Sequence, residues 1–189
     1  MSGTTTAFGW VYPTSTDLVK DGATAIQTLA DDIDDSLKRH GCVITRTSTQ
    51  SIPNVTGTAV TMNSELLDTD GYHSTVTNTS RITIPAGLAG VYAVTAYCRW
   101  DTANNVTNPI INITRNGVSQ VRNQTSTTGI YLPTGTAWIG YCAVGDYLEM
   151  VVYHSSGANR NVDYVNSGGA TNNDPLSPVL SAFRVGGPA

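Results

Sequence analysis

The chain has 189 residues, of which 40% are hydrophobic and 13% charged, with fourteen acids against ten bases and a net charge of -4. That length suits one ordinary domain plus an appendage, and the apolar fraction excludes global disorder. The sparse, slightly acidic charge set contains no basic cluster and excludes an electrostatic nucleic-acid binder. No apolar run approaches the ~20 residues of a membrane-spanning helix, so no membrane partner is expected.

Taken in chain order, residues 1–21 lack periodicity and read as an extended docking arm. The opening MSGTTTAFGW has neither a basic nor an apolar export region, so no cleaved signal is expected. Phe8, Trp10 and Tyr12 alternate, and an extended strand would set all three rings on one side. Three rings in a row gain nothing in water. They imply either a groove on another subunit or protein, or an arm folded back on its own domain.

From Gly22 the pattern becomes helical. Ile26, Ala30, Ile33 and Leu37 are spaced four, three and four, a coiled-coil seam of about two heptads with Leu29 beside it. The segment 22–40 is therefore expected to be a trimerising helix. Asp17 or Asp21 can cap its start, Lys38, Arg39 and His40 complement its C-terminal dipole, and Gly41 stops it. Asp31, Asp32, Asp34 and Asp35 form a solvated acidic face. So short a seam is marginal in water and needs something larger to hold the helices together.

Residues 41–189 read as β throughout. The segments 56–62, 80–85, 90–100, 109–123, 136–154 and 176–185 are β-branched or aromatic runs between Gly, Asn, Pro and Asp. Tyr92, Val94, Ala96, Cys98 and Trp100 alternate strictly, Asn116-Gly117 has the residues of a type I′ hairpin turn, and Gly145-Asp146 supplies another tight turn. Many short strands with regular turns indicate a sandwich or jelly roll.

Motifs for chemistry are scarce. Cys42, Cys98 and Cys142 are too few for a disulfide framework and form no C-x-x-C pair, so they read as buried free thiols. His40, His73 and His154 have no metal-ligand spacing. DTDGYH (68–73) begins like a calcium loop, but its twelfth position is Thr79 where a bidentate Glu is required. No catalytic residue, metal or cofactor is predicted. A glycan hydrolase using Glu65, Glu149 or Asp163 is the enzymatic alternative.

The stretch ELLDTDGYHSTVTNTSRITIPAGLAGVYAVTAYCRW resembles the first half of a C1q-like (TNF-like) jelly roll as found in bacteriophage virion proteins. Its N-x-S-R-I-x-I-P segment leads into G-V-Y. INITRNGVSQ resembles the middle hairpin of that fold, YCAVGDYLEMVVYH its Gly-Asp turn, and SPVLSAFRV its closing strand, so the resemblance spans roughly residues 50–187. Separately, YPTSTDLVKDGATAIQTLADDIDDSL resembles a segment recurrent in phage tail-fibre and minor tail proteins.

These resemblances imply a structural, non-enzymatic virion protein: a short homotrimeric fibre or spike anchored by its N-terminus. Trimers would meet along Ile26, Ala30, Ile33 and Leu37. Phe8, Trp10 and Tyr12 would dock on other virion proteins, either tail and baseplate or capsid. Outer loops near Asn105, Asn123, Arg160 and Tyr164 would form a surface for weak host-polysaccharide binding. The alternative is a capsid decoration or stabilising protein whose loops are simply solvated.

Overall fold

A glycine turns the N-terminal segment back on itself. The computed structural model describes residues 3–5, 9–15, 19–100, 103–130, 132–164 and 177–187. In it Gly9 has a φ of 69°, in the left-handed region that glycine enters without strain. Gly9 N–H donates to the Thr5 carbonyl (2.9 Å), Thr5 N–H donates to the Trp10 carbonyl (2.9 Å), and Trp10 N–H donates to the Thr5 hydroxyl (2.9 Å). Strands β1 (Gly3–Thr4) and β2 (Val11–Tyr12) consequently pair antiparallel, with Gly3 opposite Tyr12. The single extended arm is thus corrected to a hairpin. Alternation of rings sets a common side only if the strand continues, and the left-handed Gly9, hydrogen-bonded back to Thr5, interrupts it. Phe8 lies outside the described residues.

Helix α1 runs Val19–Leu37 with Asp21 in its first turn, where a carboxylate suits the positive end of the dipole. It starts before the expected Gly22 and so carries that glycine internally, at about 1 kcal/mol relative to alanine. Lys38 N–H still donates to the Asp34 carbonyl (3.1 Å), extending the ladder past the last helical residue. β2 packs on α1, and Val11 N–H reaches the Asp32 carboxylate at 3.4 Å. The hairpin and helix form one compact unit, Met1–Arg39, and His40–Ala189 forms the other.

His40 belongs with the second unit rather than with the helix terminus expected for it. It is buried, its Nδ1 lies 2.9 Å from the Asp70 carboxylate, and its carbonyl accepts from Arg184 N–H (2.9 Å). Its carboxylate partner lies thirty positions along the chain.

The second unit is a two-sheet sandwich. Its elements are β3 (Gly41–Thr45), β4 (Gln50–Ile52), β5 (Thr58–Ala59), β6 (Ser64–Asp68), β7 (Arg81–Thr83), β8 (Gly90–Arg99) and β9 (Val106–Thr107). They continue with β10 (Ile110–Arg115), β11 (Val118–Gln124), β12 (Thr128–Gly129), β13 (Pro133–Cys142), β14 (Tyr147–Tyr153), β15 (Arg160–Val162) and β16 (Val179–Gly186). The first sheet has the order β13-β8-β16-β3-β6. The second runs β11-β10-β14-β5, with β7 also paired to β14. Every pairing is antiparallel. Asn116 (φ 52°) and Gly117 (φ 77°) make the β10–β11 turn in the doubly left-handed form that Asn-Gly permits.

Alternation fills the space between the sheets. Tyr92, Val94, Ala96 and Cys98 of β8, Leu180 and Ala182 of β16, and Ile44 of β3 meet Ile111 and Ile113 of β10 and Leu148, Met150 and Val152 of β14. Buried polar tips find partners. Tyr72 and Tyr92 share a hydroxyl contact at 3.0 Å and the Tyr92 hydroxyl donates to the Leu88 carbonyl (2.7 Å), while Trp100 Nε1 donates to the Thr134 hydroxyl (2.8 Å). Strands β3 and β6, which complete one edge of the first sheet, fall outside the six segments expected from sequence.

Candidate functional site

Strand alternation gives the first sheet a second face, away from the core, and that face is apolar. Its side chains lie in cross-strand rows set by the register. Ile139 stands opposite Ala93, and Ala93 opposite Phe183. Ala137, Thr95, Ser181, Val43 and Leu67 form the next row across all five strands. Tyr141 faces Val91 on one side, and Tyr97 faces Val179 on the other. Ile139 is 69% exposed, and Tyr141, Leu67 and Val185 are also open to solvent. Thr95 and Ser181 hydroxyls, 2.7 Å apart, satisfy each other near the middle of the sheet.

Burying one such aliphatic or aromatic side chain is worth roughly 1.5–3 kcal/mol. Apolar side chains clustered on one exposed face are a common mark of interaction surfaces. Its geometry offers shape and apolar area.

In the first unit the predicted seam divides. Ile26 is 61% exposed and Ala30 is exposed, whereas Ile33 is half-buried. The Leu37 side chain lies outside the described residues. Half-buried positions Ala25, Thr28, Leu29, Asp32 and Ile33 mark the side toward which the hairpin packs. Trp10 is half-buried, and Tyr12, at 40% exposure, keeps part of its ring in solvent.

Among the expected outer-loop residues, Arg160 and Asn105 come together: Arg160 Nε donates to the Asn105 carbonyl (2.7 Å) and Nη1 to the Asn159 carbonyl (2.8 Å). This arginine ties backbone segments to one another. Asn123 is not in a loop. It sits on β11, and its amide Nδ2 donates to the Gly135 carbonyl (2.8 Å) of β13, linking the edges of the two sheets. Tyr164 is half-buried just after β15.

The three carboxylates weighed for hydrolysis stand in separate ion pairs. Glu65 of β6 lies 2.9 Å from His73 Nδ1, and Glu149 of β14 accepts from the Ser80 hydroxyl (2.7 Å) and Arg81 Nε (3.3 Å). Asp163 pairs with Arg99 Nη2 (3.3 Å). Asp68 acts as a turn residue, its two oxygens accepting from the N–H groups of Asp70, Gly71, Tyr72 and His73. No group of three metal-ligating side chains converges among the described residues.

Buried cysteines are inert by environment. Burial pushes the Cys98 thiol up to about 12 and, with Asp146 adding to it against Arg115, the Cys142 thiol up to about 11. Cys42 is raised as well, by burial first and then by Asp68 and Glu65.

No family model matches the chain, and no curated protein sequence matches it. Solved structures do. Murine APRIL at pH 5.0 is similar with a TM-score of 0.54 at 12% identity, covering 78% of this chain and 100% of that one. Murine APRIL at pH 8.5 gives 0.52 at 10% identity over 78% and 100%. The globular domain of zebrafish complement 1qA gives 0.45 at 12% identity over 77% and 97%. At such identities the APRIL likeness is one of fold. It agrees with the sequence expectation of a mainly β chain carrying a C1q/TNF-like jelly roll.

Proposed function

We propose that this chain is a non-enzymatic structural component of a phage virion, a short homotrimeric fibre or spike whose jelly roll is the displayed head. The uncovered apolar face of the first sheet carries the reading. Rows of Ile139, Ala93 and Phe183, with Tyr97 and Tyr141 nearby, present an area that a soluble monomer would leave in water. Packing copies of a TNF-like jelly roll around a three-fold axis through that face removes it from solvent. Ile26 and Ala30, open on α1 of the lone protomer, supply a second strip for the same symmetry. A helix too short to associate alone does so once the heads raise its local concentration.

The phage assignment rests on the two sequence resemblances, and Phe8, Trp10 and Tyr12 are the proposed contacts to the other virion proteins.

Light scattering on the intact chain and on a version lacking residues 1–39 tests the assembly. Trimers in both cases make the head the assembling unit. A trimer only for the intact chain makes α1 the driver, and monomers in both would overturn the reading. Mass spectrometry of purified particles that carry this chain tests the virion assignment.

A further inference from the structure

The outer face of the second sheet contains a groove of about 450 Å³, within the size range of small-ligand sites. Register builds it. On β10 the even positions point away from the core, since Ile111 and Ile113 are fully buried between the sheets. Gln124, Ile110 and Tyr153 form one cross-strand row, and Arg122, Asn112 and Val151 the next. Tyr153 and Gln124 therefore flank Ile110 from the two neighbouring strands, a span of roughly 10 Å at two strand spacings. Ile110 is only 6% exposed although it faces outward, so it is the apolar floor. Asn108, whose Nδ2 donates to the Ser155 hydroxyl (3.2 Å), closes one end.

The lining has a definite chemistry. Three side-chain amides, of Asn108, Asn112 and Gln124, both donate and accept, which matches the hydroxyl groups of a sugar. Tyr153 and Ile110 offer apolar surface for the C–H face of a pyranose. Arg122 is the one ionised group in the lining. Among the described residues its guanidinium meets only the Gln124 amide oxygen (2.9 Å), which leaves further N–H groups for a carboxylate. Glu149, on the same face of β14, is already engaged by Ser80 and Arg81. In a chain of net charge -4 the groove is thus a local cationic spot. A nucleic acid would demand a row of cations, whereas a single arginine suits one carboxylate.

We infer that this groove binds a carboxylate-bearing saccharide, with Arg122 on the carboxylate, Asn108, Asn112 and Gln124 on hydroxyls, and Tyr153 against the ring. The inference rests on the reading of the jelly roll as a displayed head, for which it names a ligand class. Three copies per trimer would turn a weak site into usable avidity.

Saturation-transfer NMR on the full chain provides the test. The probes are tetragalacturonate, sialyllactose and a hyaluronan tetrasaccharide, with lactose and maltotetraose as neutral counterparts. Transfer to at least one acidic saccharide and less to the neutral ones is the expected result. Arg122→Gln, at an exposed site, should weaken acidic binding about tenfold, a difference of about 1.4 kcal/mol. Gln124→Ala, also exposed, should weaken it as well. Silence with all three acidic probes, equal binding of neutral sugars, or binding indifferent to both substitutions would overturn the site. Light scattering on the same samples separates the two ideas. A trimer without transfer removes the groove and leaves the assembly, whereas transfer to a monomer removes the assembly and leaves the groove.

Discussion

His154 shows how much one buried ring can couple this fold to pH. Its side chain is fully buried, edge-on to Trp100 at 5.4 Å. Nε2 lies 3.0 Å from the Ile52 carbonyl, and Nδ1 accepts from Ser156 N–H at 3.3 Å. That pairing requires the neutral tautomer with the proton on Nε2, because a proton on Nδ1 would confront another N–H. Burial holds the pKa below its ordinary value, Arg160 adds to the depression, and the Ile52 carbonyl opposes it. As pH falls through about 6.5, the unfolded chain takes up a proton that the folded chain refuses, so stability present above that pH is lost below it. The melting temperature of His154→Gln should sit below wild type at about pH 8, reflecting a loss of about 1–3 kcal/mol, and the gap should narrow toward pH 5. A gap independent of pH would show that the ring is not the titrating group. Cysteine reactivity is a second residue-scale expectation: Ellman's reagent should find no thiol in the native protein and all three after denaturation. Cys98 and Cys142 were legible from the apolar strand segments around them. The His40–Asp70 and His154–Ile52 contacts were not, because they join residues far apart in sequence through a register that no local pattern encodes.

At the level of elements, alternation placed β8, left β3 and β6 unseen, and was a poor guide to which face is covered. In β8 the outward residues Val91, Ala93 and Tyr97 are nearly as apolar as the inward Tyr92, Val94 and Ala96. A string with both faces apolar says that both are destined for burial, but only three-dimensional placement shows that one face finds the core and the other is left open. Ile139→Lys is the direct probe of that open face. A lysine at a 69% exposed position costs an isolated protomer little. Within an association face it adds a charge to be desolvated, several kcal/mol per copy by rough estimate. The expected outcome is a lower mass by light scattering with an unchanged far-UV circular dichroism spectrum, and a persistent trimer would place the contact elsewhere. The N-terminal hairpin was missed for a local reason. Three alternating rings dominated the reading, while the Thr5 hydroxyl and the left-handed Gly9 between them set the turn. The groove on β10, β11 and β14 was not legible as one site, since Ile110, Asn112, Arg122, Gln124 and Tyr153 come from three strands that only the register sets side by side.

For the molecule as a whole, the order of pairing has a consequence for how the protein is made. β16, the last of the described strands, lies between β8 and β3 in the first sheet, with Ala182 opposite both Val94 and Cys42. Until residue 186 has left the ribosome, β3 and β6 cannot join β8 and β13, and the first sheet remains two separate ribbons. Such long-range closure is slow to find compared with the local contacts of a helix and hairpin. Met1–Arg39 is a compact unit of its own and is synthesised before His40–Ala189. On a polysome, neighbouring nascent chains would therefore expose finished N-terminal units well before any jelly roll could close. A nonsense codon upstream of β16 would yield chains whose N-terminal unit is whole and whose first sheet never closes.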